Sequence, residues 1–181
     1  MPKKTAPSAN TTPDGRLAED GLHQVLGYQL AQASIATTRV FNEAVGGPFD
    51  LRPVEYTVLA LIERNPGGSA TQLAKALAVT APNITMWIDR LEARQLVQRL
   101  PSETDKRAQR LQLTPKAAKL TAQATARLLE GERSALDALS AAERAILLEL
   151  LHKVACCRGP AAPAAAAESS ARRTPKVQAL K

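Results

Sequence analysis

The feature that most constrains this chain is a change of period. From Ser69 to Arg94 the apolar residues recur every three or four positions, as on one face of a helix; after Arg94-Gln95 they alternate. Leu96, Val97 and Leu100 mix with Gln98 and Arg99. In a second alternating run Gln109, Leu111 and Leu113 share one side, and Arg110 and Gln112 the other. Between the runs lies "PSETDK", residues 101–106, which reads as a turn, so the segment is expected to form a two-stranded hairpin. Thr114-Pro115 then pairs a capping residue with a first-turn proline, and a helix starts at once.

The rest of the chain reads as helix. Only 3% of its 181 residues are aromatic, while Ala and Leu are abundant, a balance that favours helix over extended sheet. The first helix is expected from about Ala18 to Val45. Leu22, Leu26, Leu30, Ala33, Thr37, Val40, Phe41 and Ala44 share its apolar face, and Gly46-Gly47-Pro48 is expected to stop it. That length points to docking against another helix or another chain. A second helix begins at Pro53 and ends before Asn65-Pro66-Gly67-Gly68, with Val54, Val58, Leu61 and Ile62 inward. A third opens at Ser69, where Gln72 completes a capping box, and lasts about ten residues with Leu73 and Leu77 inward. After a short break Thr80 is placed to cap a fourth, which carries Ala81-Pro82 in its first turn. The fifth runs from Pro115 to about Leu139. The sixth opens with a Ser140/Glu143 capping box, carries Ile146, Leu147, Leu150, Leu151 and Val154, and ends near Arg158-Gly159-Pro160.

A short helix, a tight break, a second helix and a hairpin make a winged helix-turn-helix. The fold class expected is therefore mainly α with a small β-hairpin wing: a winged helix-turn-helix domain plus further helices. The fourth helix has the two faces such a domain requires. Ile84, Ile88 and Leu91 fall within about 60° on a helical wheel, with Trp87 beside them. Opposite lie Pro82, Met86, Asp89 and Ala93, flanked by Asn83, Thr85 and Arg90. Small groups let the backbone approach a groove, the helix N-terminus favours phosphate, and Asn, Thr and Arg read base edges. Thr80, Pro82, Asn83, Thr85, Met86 and Arg90 are accordingly expected at a DNA interface. Lys106 is a solvated charge suited to diffuse phosphate contact. Arg99 and Arg110 fit either a phosphate contact or a brace for the hairpin.

Residues 51–120 resemble the core of the MarR family of bacterial transcription regulators. The strongest match is "IDRLEARQLVQRLPSETDKRAQRLQLT", residues 88–114. The family typically shows a D-R-L-E run, then G-L-V-x-R, then a D-x-R wing and L-x-L-T. The likeness extends over about residues 20–157. It implies a homodimeric winged-helix repressor or activator, most simply a repressor, bound to a pseudo-palindromic double-stranded operator. The first helix and the last two would build the dimer. It also implies that Arg107 enters the minor groove with Asp105 positioning it, and a guanidinium at a hairpin tip suits the concentrated negative potential of a narrow minor groove. One departure is Gln95, where the family has Gly; a glycine there supplies a left-handed helix end at little cost, and glutamine must strain or turn differently. The resemblance further implies a small phenolic or aromatic carboxylate effector. On the first helix Tyr28, Ile35 and Arg39 lie on one flank, where a Tyr and an Arg would orient such an acid; a surface Tyr and a salt-bridged Arg is the plainer reading.

The domain organisation expected is a polar arm without structure over 1–17, a helical dimerisation region over 18–50 and 115–158, the winged helix-turn-helix over 51–114, and a flexible Ala/Pro-rich basic tail over 159–181. The net charge is +7. Residues 158–181 hold five Lys/Arg and one Glu, so +4 of it is tail; residues 1–20 cancel, and +3 belongs to the rest. That balance permits a polyanionic partner. Cys156 and Cys157 are adjacent and are not expected to pair, so a reducing compartment is the default. No apolar run is long enough for a membrane span and no secretory signal opens the chain, so a cytoplasmic location is expected. No nucleophile–base–acid arrangement, paired carboxylates or phosphate-cradling loop is visible, so no enzyme is expected, and neither a metal nor another cofactor. His23 and His152 are expected exposed or interfacial. Two alternatives stay open: a thiol redox sensor on the same fold, and a winged-helix module that binds protein. Residues 80–110 carry six Lys/Arg against four Asp/Glu, only mildly basic.

Overall fold

The computed structural model describes residues 11–101 and 109–157. In chain order the elements are a 3-10 turn at Asp20–Gln24, α1 (Leu26–Phe41), a π-helical stretch at Asn42–Gly46, the single turn α2 (Gly47–Phe49), α3 (Pro53–Arg64), α4 (Ala70–Leu77), α5 (Ala81–Ala93), β1 (Val97–Pro101), β2 (Gln109–Leu113), α6 (Pro115–Ala135) and α7 (Ala141–Cys156). They fall into two compact units, one within Met1–Leu51 and Gln123–Asp137, the other within Arg52–Ala122 and Ala138–Lys181. The mainly helical fold with one antiparallel hairpin is the architecture that the change of period predicts.

In the first unit the expected single helix over 18–45 is divided. Val25 is extended, at φ −85° and ψ 107°, and separates the 3-10 turn from α1. At the other end Gly46-Gly47-Pro48 does not stop the chain's helical course. Gly46 and Gly47 keep right-handed φ values of −56° and −67°. The Gly47 N–H donates to Asn42 O, the five-residue spacing of a widened turn. Pro48 follows in the first turn of α2, where its missing N–H costs little. Helical geometry ends instead at Asp50, which is left-handed at φ 50°. Val45 and Leu51 are buried on either side of this run, so the chain turns inward through it. Also in this unit the Arg127 guanidinium lies 5.4 Å from the centre of the Phe49 ring, and a Cβ on Gly131 would meet Val40 Cγ1 at 3.0 Å. The arm expected to lack structure over 1–17 is folded from Thr11 onward. Thr11 bridges Ala18, and the Thr12 N–H donates to Leu17 O around a turn with Gly15 and Arg16 at positive φ.

In the second unit local signals fix the helix starts. Ser69 Oγ accepts from the Gln72 N–H while Gln72 Oε1 accepts from the Ser69 N–H, and Ser140 and Glu143 repeat the exchange. The Ser140 hydroxyl also donates to Glu143 Oε2 at 2.7 Å, and this bond, with that from the Ser140 N–H, holds the Glu143 carboxyl below its ordinary value. Before α3 the buried Glu55 accepts from the Arg52 N–H at 2.9 Å. α4 has eight residues and ends at Ala78, left-handed at φ 53°. Thr80 occupies the N-cap of α5 by backbone conformation, without the expected side-chain bond. α6 stops at Ala135, short of Leu139, and α7 ends at Cys156 with Cys157 as its cap. The unit's core joins Val58, Leu59 and Ile62 of α3, Leu73 of α4, Ile84, Ile88 and Leu91 of α5, and Leu96, Val97 and Leu111 of the hairpin, all buried. Each such aliphatic side chain contributes about 1.5–3 kcal/mol by leaving water.

The hairpin register pairs Val97 with Leu113, Arg99 with Leu111, and Pro101 with Gln109. Pro101 thus closes β1 and does not open the turn; the remainder of the expected turn lies outside the described residues. Leu111 directs its backbone away from β1. Its N–H donates to Gly68 O at 2.9 Å, and its carbonyl accepts from the Gly67 N–H at 3.1 Å. The Asn65–Gly68 loop therefore lies along the second edge of β2, and Gly67 adopts φ +84° to reach it.

Candidate nucleic-acid interface

The interface is built on α4, the turn at Ala78, α5 and the hairpin. Ile84, Ile88 and Leu91 are at most 1% exposed, which seats α5 on the core and fixes its rotation. The opposite face is turned to solvent as the helical wheel predicts. Ala81, Pro82, Thr85, Met86, Asp89, Arg90 and Ala93 line one continuous shallow surface. Met86 is 41% exposed at the middle of this surface. Asn83 and Thr80 are half-buried at the flank and start of the helix. Of the residues expected at a DNA interface, six lie on or beside this surface.

Arg99 makes the contacts of a brace. From β1 its Nη1 lies 2.9 Å from Glu92 Oε2 and its Nη2 pairs closely with Asp89 Oδ1. Both carboxylates belong to α5, three residues apart, on the side that meets the hairpin. The guanidinium ties β1 to α5 and offsets one of the two negative charges nearest the exposed face. Sequence reasoning missed this triangle, although the D-R-L-E spacing places both acids on one flank. A second pair, at the C-cap of α5, was also missed: Arg94 Nη1 lies 3.8 Å from the buried Glu55 of α3. Arg110 lies along the glycine loop, its Nε 3.6 Å from where a Cβ on Gly67 would sit. Asp105, Lys106 and Arg107 lie outside the described residues.

The junction between α5 and β1 settles the question raised by Gln95. It is left-handed at φ 56°, the conformation in which glycine costs least. Two bonds close the turn, from the Gln95 N–H to Glu92 O and from the Leu96 N–H to Leu91 O. The Thr114 hydroxyl donates to Gln95 O at 2.9 Å and accepts from the Ala117 N–H at 3.2 Å. One side chain thus pins the start of β1 and caps α6.

Of the three residues expected to meet a small acid, Ile35 and Arg39 lie one turn apart on α1 and Tyr28 stands two turns before Ile35. Tyr28 and Arg39 are eleven positions apart on one straight helix, or about 16 Å along its axis. Tyr28 donates its hydroxyl to Glu19 Oε1 at 2.7 Å and accepts from Gln32 Nε2 at 3.2 Å. The Glu19 acceptor holds the Tyr28 phenol above its ordinary value. Arg39 Nε donates to Glu43 Oε1 at 2.9 Å, which raises the guanidinium further, and Ile35 is 63% exposed. His23 and His152 are both exposed; His23 Nδ1 lies 3.5 Å from Glu19 Oε2. His152 Nε2 lies 3.7 Å from Cys156 Sγ, a proximity that four-residue spacing on a helix explains. Both cysteines are free and exposed. Among the described residues no group of three or more His, Cys, Asp or Glu is placed to hold a metal ion, and no helix is long and apolar enough to cross a membrane.

Comparison with known proteins agrees with this architecture. Residues 51–108 match the model of the MarR family. The chain is 30% identical over 154 residues to the HTH-type transcriptional repressor NicR of Pseudomonas putida, covering 85% of this chain and 95% of that protein. Among solved structures it is similar to the transcriptional repressor CouR bound to a 23-mer DNA duplex, with a TM-score of 0.71 and 31% identity over 77% of this chain and 98% of that one. It is also similar to a MarR variant from E. coli complexed with operator DNA, with a TM-score of 0.66 and 28% identity over 75% of this chain and 96% of that one.

Proposed function

The chain belongs to the MarR family and is a DNA-binding transcriptional regulator of that type; from that premise we propose that it is a homodimeric repressor, bound to a pseudo-palindromic operator and released by a small aromatic carboxylic acid. The observation that carries the DNA half is the state of α5: its apolar side is sealed into the core, while Arg99 pairs with Asp89 and Glu92 and, together with the exposed Arg90, balances their two negative charges. A negative flank would repel phosphate; a compensated one admits it. Pro82, Asn83, Thr85, Met86 and Arg90 read the major groove in this reading, with Thr80 at the start of the helix. Arg107, set by Asp105, enters the minor groove, and Lys106 adds phosphate contact.

The dimer is supported by apolar surface that one chain leaves uncovered. Ile146, Leu147, Leu148, Leu150, Leu151 and Val154 of α7 are 36–63% exposed. Leucines spread around a helix ask for a partner on more than one side. Leu22, Leu26 and Leu30 extend the same pattern near the N-terminus. These segments, 18–50 and 115–158, form the dimerisation region of the proposal, and 51–114 the reading head.

For the effector the proposal narrows to Tyr28. Its hydroxyl already donates to a carboxylate, that of Glu19, and an aromatic acid would compete for the same donor. Ile35 and Arg39 lie farther along the helix, one turn apart.

The test is binding of the full chain to duplexes from its own promoter region, by fluorescence anisotropy over a salt series, alongside sedimentation. A dimer at micromolar concentration whose affinity falls steeply with salt is the expected result. A monomer, or an affinity indifferent to salt, overturns it. Release by one of a panel of small aromatic acids tests the effector separately.

A further inference from the structure

The exposed face of α5 has a composition that general DNA affinity does not require. Ala81, Pro82, Met86 and Ala93 carry no side-chain hydrogen-bond donor or acceptor of the kind that reads a purine edge, yet they make up most of the shallow surface. Thr85 adds a methyl beside its hydroxyl. Of the polar groups, Arg90 flanks this face and is exposed, while Asp89 lies within it with its carboxylate paired to Arg99. We infer that this face is an apolar reader of thymine, in which Met86 and Pro82, with the methyl of Thr85, pack against thymine 5-methyl groups in the major groove. The inference rests on the DNA-binding reading above and specifies what that reading recognises.

The argument is one of matching chemistry. Within the major groove guanine, adenine and cytosine offer donors and acceptors, and only thymine adds a methyl. A Met86 side chain set against a donor or acceptor would strip water from it and return nothing, which disfavours those bases. Set against a methyl, the same side chain gains by burial. The small residues on both sides let the helix approach closely enough for that contact. Charge selects duplex DNA over an apolar protein partner: Arg90 borders the patch and, with Arg99, balances Asp89 and Glu92, so no net negative charge stands against phosphate. A related chain of this fold is seen bound to a DNA duplex. Pro82 and Met86 are four residues apart, about 6 Å along the helix, while base pairs step by about 3.4 Å. The methyls read by the two residues therefore fall within about two or three base pairs of each half-site.

The experiment uses the full chain. Duplexes are selected from a random library, and each recurrent dT of the selected site is then replaced by dU, which removes the methyl and leaves the base pair intact. Affinity at one fixed salt concentration should fall about fourfold for each methyl in contact. In Met86→Ala the penalty at one or more of those positions should disappear, while circular dichroism confirms an unchanged fold. Half-sites without recurrent thymine, dU duplexes that bind as well as dT at every position, or penalties that persist unchanged in Met86→Ala each overturn the inference and leave the DNA-binding reading standing. Failure to select any duplex overturns both.

Discussion

Thr114 donates its hydroxyl to the carbonyl oxygen of Gln95 across nineteen positions of sequence, at 2.9 Å. The bond holds the residue that closes α5 against the one that opens α6, with the hairpin returning between them. Gln95 is left-handed there, which costs a non-glycine residue about 1–2 kcal/mol. Gln95→Gly should therefore stabilise the protein by about 0.5–1 kcal/mol, the relief of strain offset partly by the greater freedom of the unfolded chain. Thr114→Val, which removes both the bond to Gln95 and the cap on α6, should destabilise it by about 1–2 kcal/mol. Urea unfolding of the two variants checks both signs.

Arg99 is held by Asp89 and Glu92, so its contribution to DNA binding is expected to be indirect. Arg99→Gln should weaken operator binding about tenfold, a change of about 1.4 kcal/mol, by freeing the hairpin and exposing two carboxylates beside the groove. Adding Asp89→Asn should restore part of the loss. The dependence of affinity on salt separates a brace from a phosphate contact: loss of a contact lowers the slope by about one, and loss of a brace leaves it nearly unchanged.

Arg107→Ala should weaken operator binding by about tenfold or more without lowering thermal stability, because a wing-tip arginine in the proposed minor-groove role touches DNA and not the core. Anisotropy and a thermal melt on the same preparation check it. Unchanged affinity would remove the wing from the mechanism.

Tyr28 should ionise above its ordinary range because its proton is held by Glu19. A pKa raised on folding favours the protonated, folded form. The stability it contributes is full below the unfolded tyrosine pKa, about 10, and is lost as pH rises through the folded value. Glu19→Gln should move the tyrosinate absorbance transition to lower pH in a Tyr56→Phe background. If Tyr28 also receives the effector, the same variant should change effector affinity while leaving operator affinity in its absence unaltered.

The helix starts at Pro53, Ser69 and Ser140 were legible in the sequence because the signal is local: a proline suited to the first turn at Pro53, and at Ser69 and Ser140 a cap whose reciprocal partner lies three residues on. The faces of α5 were legible because periodicity converts directly into burial once a core exists. Gln95 was legible as a departure, since backbone handedness is a property of one residue. Tertiary structure alone decided the rest. Gly46-Gly47-Pro48 has the composition of a stop, but glycine and proline permit a helix to end without compelling it, and burial of Val45 and Leu51 carried the turn on to Asp50. Tyr28 and Arg39 share a flank on a wheel, which records angle and discards the distance along the axis that separates them. Arg99 could serve phosphate or carboxylate equally well by its chemistry. The approach of β1 to α5 put Asp89 and Glu92 within its reach, and a guanidinium satisfied by two carboxylates has its fork already engaged.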